Sequence, residues 1–272
     1  MKLSFSHQHR HVSLFFKGLL LTLALPCAAA WAQADGKAPA GRPSSGGFIG
    51  VGVGSGPTYP GSDQQRTAAV PIGEYRWANG VYVGGRDGLL GVQMSATQQL
   101  QLGLAIGMDT GRKESDSSYL AGMGDIAAKG TLNAYAKLAL SEQWGLSSSV
   151  QLGAGSAGKG GLLNLGASYS IPVAPSTHLS LNAGATLANA DYMQDYFGVN
   201  STQASASGYK SYTPSAGLRD VSVGLGLHHQ FDRNWMLIGG LTSTSLSNAA
   251  KDSPLVRKST SQNAFVAVAY SF

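Results

Sequence analysis

The sequence predicts an all-β protein, a closed antiparallel transmembrane β-barrel of about 12 strands. Three observations predict it. The chain opens on a secretory leader, its apolar residues then alternate with a period of two almost to the end, and short turns alternate with long polar loops.

The leader has the order of a signal peptide. Lys2, Arg10 and Lys17 make a positive start, an apolar run follows from Gly18 to Ala30, and Ala30-Trp31-Ala32 supplies a small-x-small cleavage site. The run is too short and too early for a membrane-spanning helix. These features place a signal peptide at 1–32, a flexible Ala/Gly/Pro/Ser-rich periplasmic leader at 33–46 and the barrel at 47–272. Of the 19 Lys and Arg residues three lie in the signal, which has no acid, so the mature chain sets 16 bases against 14 acids. That near-balance removes the basic excess a nucleic-acid partner would need. Cys27, the single cysteine, falls inside the signal, and Pro26 stands where lipidation requires a small residue. The mature chain therefore has no thiol chemistry.

No later segment holds about 18 consecutive apolar residues, so any crossing of a membrane must be made by strands. A barrel places apolar side chains on lipid only at every second position, which suits a chain that is 43% hydrophobic and 12% charged. Leu100, Leu102, Leu104, Ile106 and Met108 alternate with Gln99, Gln101, Gly103, Ala105, Gly107 and Asp109. A second series, Ile126, Ala128, Leu132, Ala134, Ala136, Leu138 and Leu140, opposes Lys129, Thr131, Asn133, Tyr135 and Lys137. A helix would scatter these residues around its circumference, whereas a strand sorts them onto two faces. The segments centre on 49–53, 70–77, 81–85, 89–94, 100–108, 126–140, 146–154, 163–171, 179–187, 221–231, 235–241 and 264–272. The third and fourth carry the weakest pattern.

Short connections fall at Ala78-Asn79-Gly80, 95–97, 141–143, 174–177 and Asp232-Arg233-Asn234, and longer Gly/Ser/Asp-rich loops at 55–66, 110–124, 190–216 and 248–262. Short periplasmic turns and long external loops are the habit of bacterial barrels, and an even strand number puts both ends of the barrel on the periplasmic side. Trp77, Trp144 and Trp235 each sit at a strand end beside a short turn, with the parity of the apolar face. They predict an interfacial girdle at the periplasmic rim. Val266, Val268, Tyr270 and Phe272 alternate in the last segment and resemble the signal by which barrel assembly machinery recognises its clients. An edge strand this apolar invites aggregation unless it is paired, and pairing it with 48–53 closes the barrel.

No constellation points to catalysis, a cofactor or a metal. His178, Ser180 and Asn182 share one face of a strand, and a His–Ser pair backed by an amide could activate a hydroxyl. Leu179 and Leu181 take the lipid face, however, which turns the trio into the lumen and away from any lipid substrate. His228 and His229 are adjacent on a strand and so point to opposite faces, which denies them a shared metal. Gly50, Gly52, Gly54 and Gly56 alternate strictly and miss the spacing of a phosphate loop. Glu74 and Arg76 share an inward face and predict a lumen charge pair.

The loops carry a resemblance. Gly56-Pro57-Thr58-Tyr59-Pro60-Gly61-Ser62-Asp63, with Pro71 and Tyr75-Arg76, resembles the start of the MipA/OmpV family (MltA-interacting protein). So do Asp195-Tyr196-Phe197-Gly198-Val199, Gln203, Ser207-Gly208, Tyr212, Gly217 and Asp220, then Ala249-Ala250 with Asp252-Ser253-Pro254-Leu255-Val256, and also Trp235 and Phe272. Residues 242–246 depart from the family, whose members often carry a Tyr and an Arg there. The resemblance implies an outer-membrane location and a non-enzymatic scaffold linking a murein lytic transglycosylase to a peptidoglycan synthase. Those two enzymes, outer-membrane lipid and the assembly machinery are the implied partners. A small diffusion pore, or a surface adhesion or osmoresponse protein, stands as the alternative. Two expectations follow from the residues themselves. Long inward side chains at Lys129, Asn133, Tyr135 and Lys137 fill the lumen and leave little or no conductance, and the family blocks form either ordered loops over the barrel mouth or a binding surface.

Overall fold

The computed structural model describes residues 45–272, so the signal segment and all but the end of the leader lie outside the described residues. Gly46, assigned to the leader from sequence, already belongs to the first strand.

Twelve antiparallel strands close on themselves, β1 (Gly46–Pro57) pairing with both β2 (Gln65–Arg76) and β12 (Thr260–Ser271). Between them run β3 (Val81–Gly84), β4 (Leu90–Ser95), β5 (Leu100–Asp109), β6 (Lys129–Ala139), β7 (Trp144–Ala154) and β8 (Gly160–Ala174). The wall continues through β9 (Thr177–Ala188), β10 (Gly217–Gln230) and β11 (Trp235–Leu246). The seam forms between the two segments expected to pair, with Phe48 opposite Ser271 and Val53 opposite Val266. It is tight: a Cβ on Gly50 or Gly52 would lie 2.7 or 2.5 Å from the Cβ of Ala269 or Ala267. Alternate glycines therefore let the first and last strands close the barrel.

The molecule is apolar outside. Ile49 and Val51 are 65% and 63% exposed, and their outward face is shared by Leu104, Ile106, Leu132, Val223, Leu225 and Leu241. In water such a surface would be a liability; against acyl chains it is the stabilising face. At the short-turn end each tryptophan meets a tyrosine. Trp77 lies edge-on to Tyr75 at 4.9 Å, Trp144 against Tyr169 at 4.9 Å and Trp235 edge-on to Tyr270 at 5.2 Å. Phe272 stacks on Tyr75 across the seam. The aromatic girdle is thus present at the rim where the sequence places it, and the lipid belt above it makes this an outer-membrane architecture.

Two strand assignments change. Ile126 is not on the lipid face, because β6 begins only at Lys129. Gly111, at φ +70°, turns the chain after β5, and Arg112 and Ile126 bridge each other. Ile126 is thereby buried in a cluster with Tyr192, Met193, Tyr196 and Phe197. β3 and β4 are also much shorter than their neighbours.

The external loops build a roof over the outer mouth. Its pieces are α1 (Ala190–Phe197), α2 (Ser201–Ser207), α3 (Asn248–Lys251) and two single 3-10 turns, Glu114–Asp116 and Ser118–Leu120. Asn189 caps α1 by accepting from the Tyr192 N–H at 2.9 Å. Asn200 and Gln203 form a reciprocal capping box on α2, which ends at Gly208 in the left-handed region.

Candidate functional site

The features that set the lumen's shape sit on β2 to β6. After β3 the chain turns at Gly84 and Gly85, both at positive φ. A side chain at Gly85 would also strike the Glu74 carboxylate, 2.1 Å from where its Cβ would stand. The turn of residues 85–88 then folds inward. Gly88 packs against the lumen side of β5, so close that a Cβ there would lie 2.6 Å from that of Ala105. Two residues of β6 hold the turn in place: Lys137 Nζ lies 2.6 Å from Asp87 Oδ2, and Asn133 Nδ2 donates to the Asp87 carbonyl at 3.0 Å.

Around this turn lies a charged and aromatic strip. Arg76 pairs with Glu74 at 2.5 Å, as their shared parity predicts, and its guanidinium lies 5.8 Å from the ring centre of Tyr82. Tyr82 lies across Gly91 of β4, and Tyr135 across Gly103 of β5; a Cβ on either glycine would stand inside the neighbouring ring's van der Waals surface. Lys137 sits 5.1 Å from the Tyr135 ring centre, and the Tyr135 hydroxyl donates to Gln93 at 3.4 Å. The glycines let both rings lie flat on the wall rather than project across the lumen. The charged side chains stay partly accessible, at 35% for Arg76, whose Nε is nonetheless buried, and 29% for Lys137. Pairs this wet contribute about 0–1 kcal/mol each, so the strip positions charge more than it stabilises the fold.

The facing wall mixes small inward residues, among them Gly50, Gly52, Ala267, Ala269, Ser180 and Ser222, with larger ones such as Met236 and Phe265, the latter lying over Gly240. The four residues expected to fill the lumen lie in two places. Lys129 lies at the outer rim, where it donates to the Ser156 carbonyl. Asn133, Tyr135 and Lys137 are drawn onto one wall by Asp87 and Gly103. They narrow one side of the lumen.

His178, Ser180 and Asn182 face the lumen, and His178 is the register partner of His228. Asn182 donates to Ser180 at 3.3 Å, but no hydrogen bond joins His178 to Ser180 among the described residues. His229 points outward, 2.8 Å from Thr177 Oγ1 and edge-on to Phe231.

The resemblance blocks are internal struts of the roof. Tyr196 donates from its hydroxyl to both oxygens of Asp109, at 2.7 and 2.8 Å, while Phe197 and Val199 are buried. Ser253 donates to the Phe197 carbonyl at 2.6 Å, Tyr59 to the Leu255 carbonyl at 3.1 Å and Tyr212 to the Ala249 carbonyl at 2.8 Å. Burial, then the charge of Tyr192 and Asp109, pushes the Tyr196 phenol well above the ordinary tyrosine range. The ordered-roof reading therefore holds for these side chains, most of which no partner can touch. Sequence reasoning missed two arginines that lock the roof. Arg112 is buried and donates to the Tyr196 carbonyl at 3.2 Å. Arg219 pairs with Asp220 and donates to the Tyr192 hydroxyl at 2.9 Å. Asp220 stood in the resemblance block, but nothing local marks its neighbour as the buried partner.

Several solved structures are similar to this chain. The translocator domain of the autotransporter NalP from Neisseria meningitidis aligns with a TM-score of 0.44 at 14% identity, covering 84% of this chain and 89% of that one. The NanC porin gives 0.43 at 8%, covering 82% and 98%, and the KdgM porin 0.40 at 10%, covering 84% and 99%. A comparison with curated proteins finds no match. The family signature described as "MltA-interacting protein MipA" matches residues 49–272, from within β1 to the last residue, and the chain belongs to the MipA family.

Proposed function

We propose that this outer-membrane barrel is a narrow, non-enzymatic channel for small polar solutes, with its constriction at the inward turn of residues 85–88. The observation that carries the reading is the latch between Asp87 and Lys137, which holds a hairpin tip inside the lumen while the charged side chains beside it stay partly accessible. A tip held there sets the bore. Glu74 and Asp87 stand against Arg76 and Lys137, and Arg86 in the turn itself adds a third base, so the constriction carries a small excess of positive charge. The test is conductance of the purified protein in planar bilayers under a salt gradient. Small steady currents with a weak preference for anions are expected. Lys137→Glu places a second acid against Asp87, and should raise the current and shift the reversal potential toward cations. Silence from both the wild type and Lys137→Glu would overturn the reading.

A second reading rests on the family match. The family is described as interacting with MltA, and a scaffold joining a murein lytic transglycosylase to a peptidoglycan synthase would use the periplasmic face. The leader, 33–46, and the turn Asp232-Arg233-Asn234 are then the contact candidates. In that turn Asp232 accepts from the N–H groups of Asn234 and Trp235, both at 2.8 Å, which fixes its shape. Pull-down from solubilised envelopes with the leader shortened behind an intact signal tests this. Capture of both enzymes only by the unshortened chain supports the scaffold through its leader. Capture by neither removes it.

A further inference from the structure

β2 has a free edge inside a closed barrel. It pairs with β1 along its whole length, from Gln65 to Arg76, but with β3 only at Glu74, Tyr75 and Arg76. The last bond on that side runs from the Gly85 N–H to the Gly73 carbonyl, at 2.9 Å. Beyond it, residues 65–72 face no strand among the described residues, a stretch of about 26 Å at ~3.3 Å per residue. The closing bonds between Gly47 and Phe272 fix which groups point where. Odd residues of β1 bond β12, so even residues of β2 bond β1, and Thr67, Ala69 and Pro71 aim their backbone at the gap. Pro71 fits such an edge, since it has no N–H to leave unpaired.

The gap lies at lipid depth. Ala69 and Pro71 stand opposite Val53 and Val51, which belong to the outward apolar belt. Its other borders are the β3–β4 hairpin below, the outer end of β5, and an ion pair between Arg66 and Asp116 at 2.8 Å that joins the two sides above. Leu89 and Leu90, on the lower border, are exposed. Behind the gap, the inward residues of β2 are Val70 and Ile72, which face the glycines Gly52 and Gly50 on β1. Unpaired backbone is tolerated at this depth only where protein buries it or where it lines a water-filled cavity.

We propose that the gap beside β2 is a lateral passage between the lumen and the bilayer, taking a small amphiphile whose apolar body lies on Val70 and Ile72. Its polar end meets the free backbone of Thr67 and Ala69 and the charged strip within. The inward fold of residues 85–88 and the shortness of β3 and β4 are one device, since the hairpin that narrows the lumen is the one that fails to close the wall.

The barrel, residues 47–272, has no cysteine, so single-cysteine variants carry one fluorophore each in it. The test places it at Val70→Cys, at Asn182→Cys on the inward face of β9, and at Val223→Cys on the lipid face. The bilayer contains a nitroxide-labelled fatty acid as quencher, and heat-modifiable mobility certifies folding. Several-fold stronger quenching at position 70 than at 182, approaching that at 223, is expected. Equal weak quenching at 70 and 182, with 223 quenched, overturns the passage. The channel reading stands or falls separately: conductance without quenching at 70 removes the passage alone, and quenching at 70 without conductance removes the channel alone.

Discussion

Asp87 and Lys137 lie fifty residues apart in sequence and 2.6 Å apart in the lumen. That pair decides the path of the β3–β4 turn, and with it the bore of the barrel. Asp87→Ala should free the turn and raise single-channel conductance. It should leave thermal unfolding nearly unchanged, because an accessible ion pair contributes only about 0–1 kcal/mol. A large loss of stability without a change in conductance would show that the turn serves folding and not the bore.

The tyrosine–glycine pairs predict a specific rescue. Gly103→Val drives a side chain into the Tyr135 ring, which lies 2.1 Å from the position of its Cβ. The expected cost is about 1–3 kcal/mol. Tyr135→Ala combined with Gly103→Val should recover most of it, and unfolding of the four forms in a double-mutant cycle measures the coupling.

The roof has a buried ion pair at its base. Both Arg219 and Asp220 are buried, and the pair holds Tyr192 of α1. Arg219→Met strands the Asp220 carboxylate and should destabilise the roof by about 3–5 kcal/mol. Limited proteolysis from the outer face reads this directly: cleavage in the β9–β10 connection should accelerate while the barrel core stays resistant.

Alkaline pH should loosen the same roof. Burial raises the Tyr59 phenol from 10.0 to about 12, with the charges of Tyr209 and Asp63 adding to it. A raised pKa means the folded roof prefers the neutral phenol. The stabilisation is therefore complete below pH 10 and is lost as pH rises from 10 to about 12. Tyrosinate absorbance together with proteolysis across that window checks it. Tyr59→Phe, which cannot ionise, should flatten the contribution of this residue.

The sequence by itself determined the wall. Strand faces follow from a period of two, a property of each strand's own backbone, so Leu100 to Met108, the tryptophan girdle and the shared face of Glu74 and Arg76 are all legible locally. The seam was legible too, because an apolar last strand must find a partner. The tertiary structure alone decided what the connections do. Gly84, Gly85 and Gly88 announce a turn between β3 and β4, but whether it points outward or into the lumen depends on Lys137 and Asn133 in β6. Ile126 has the parity of a strand residue, yet it is pulled beneath the roof by Tyr196 and Phe197 of α1. Alternation reports which way a residue would point if its strand continued. Where the strand stops is set by contacts with distant segments, and in this protein the lumen, the roof and the free edge of β2 are all made where strands stop.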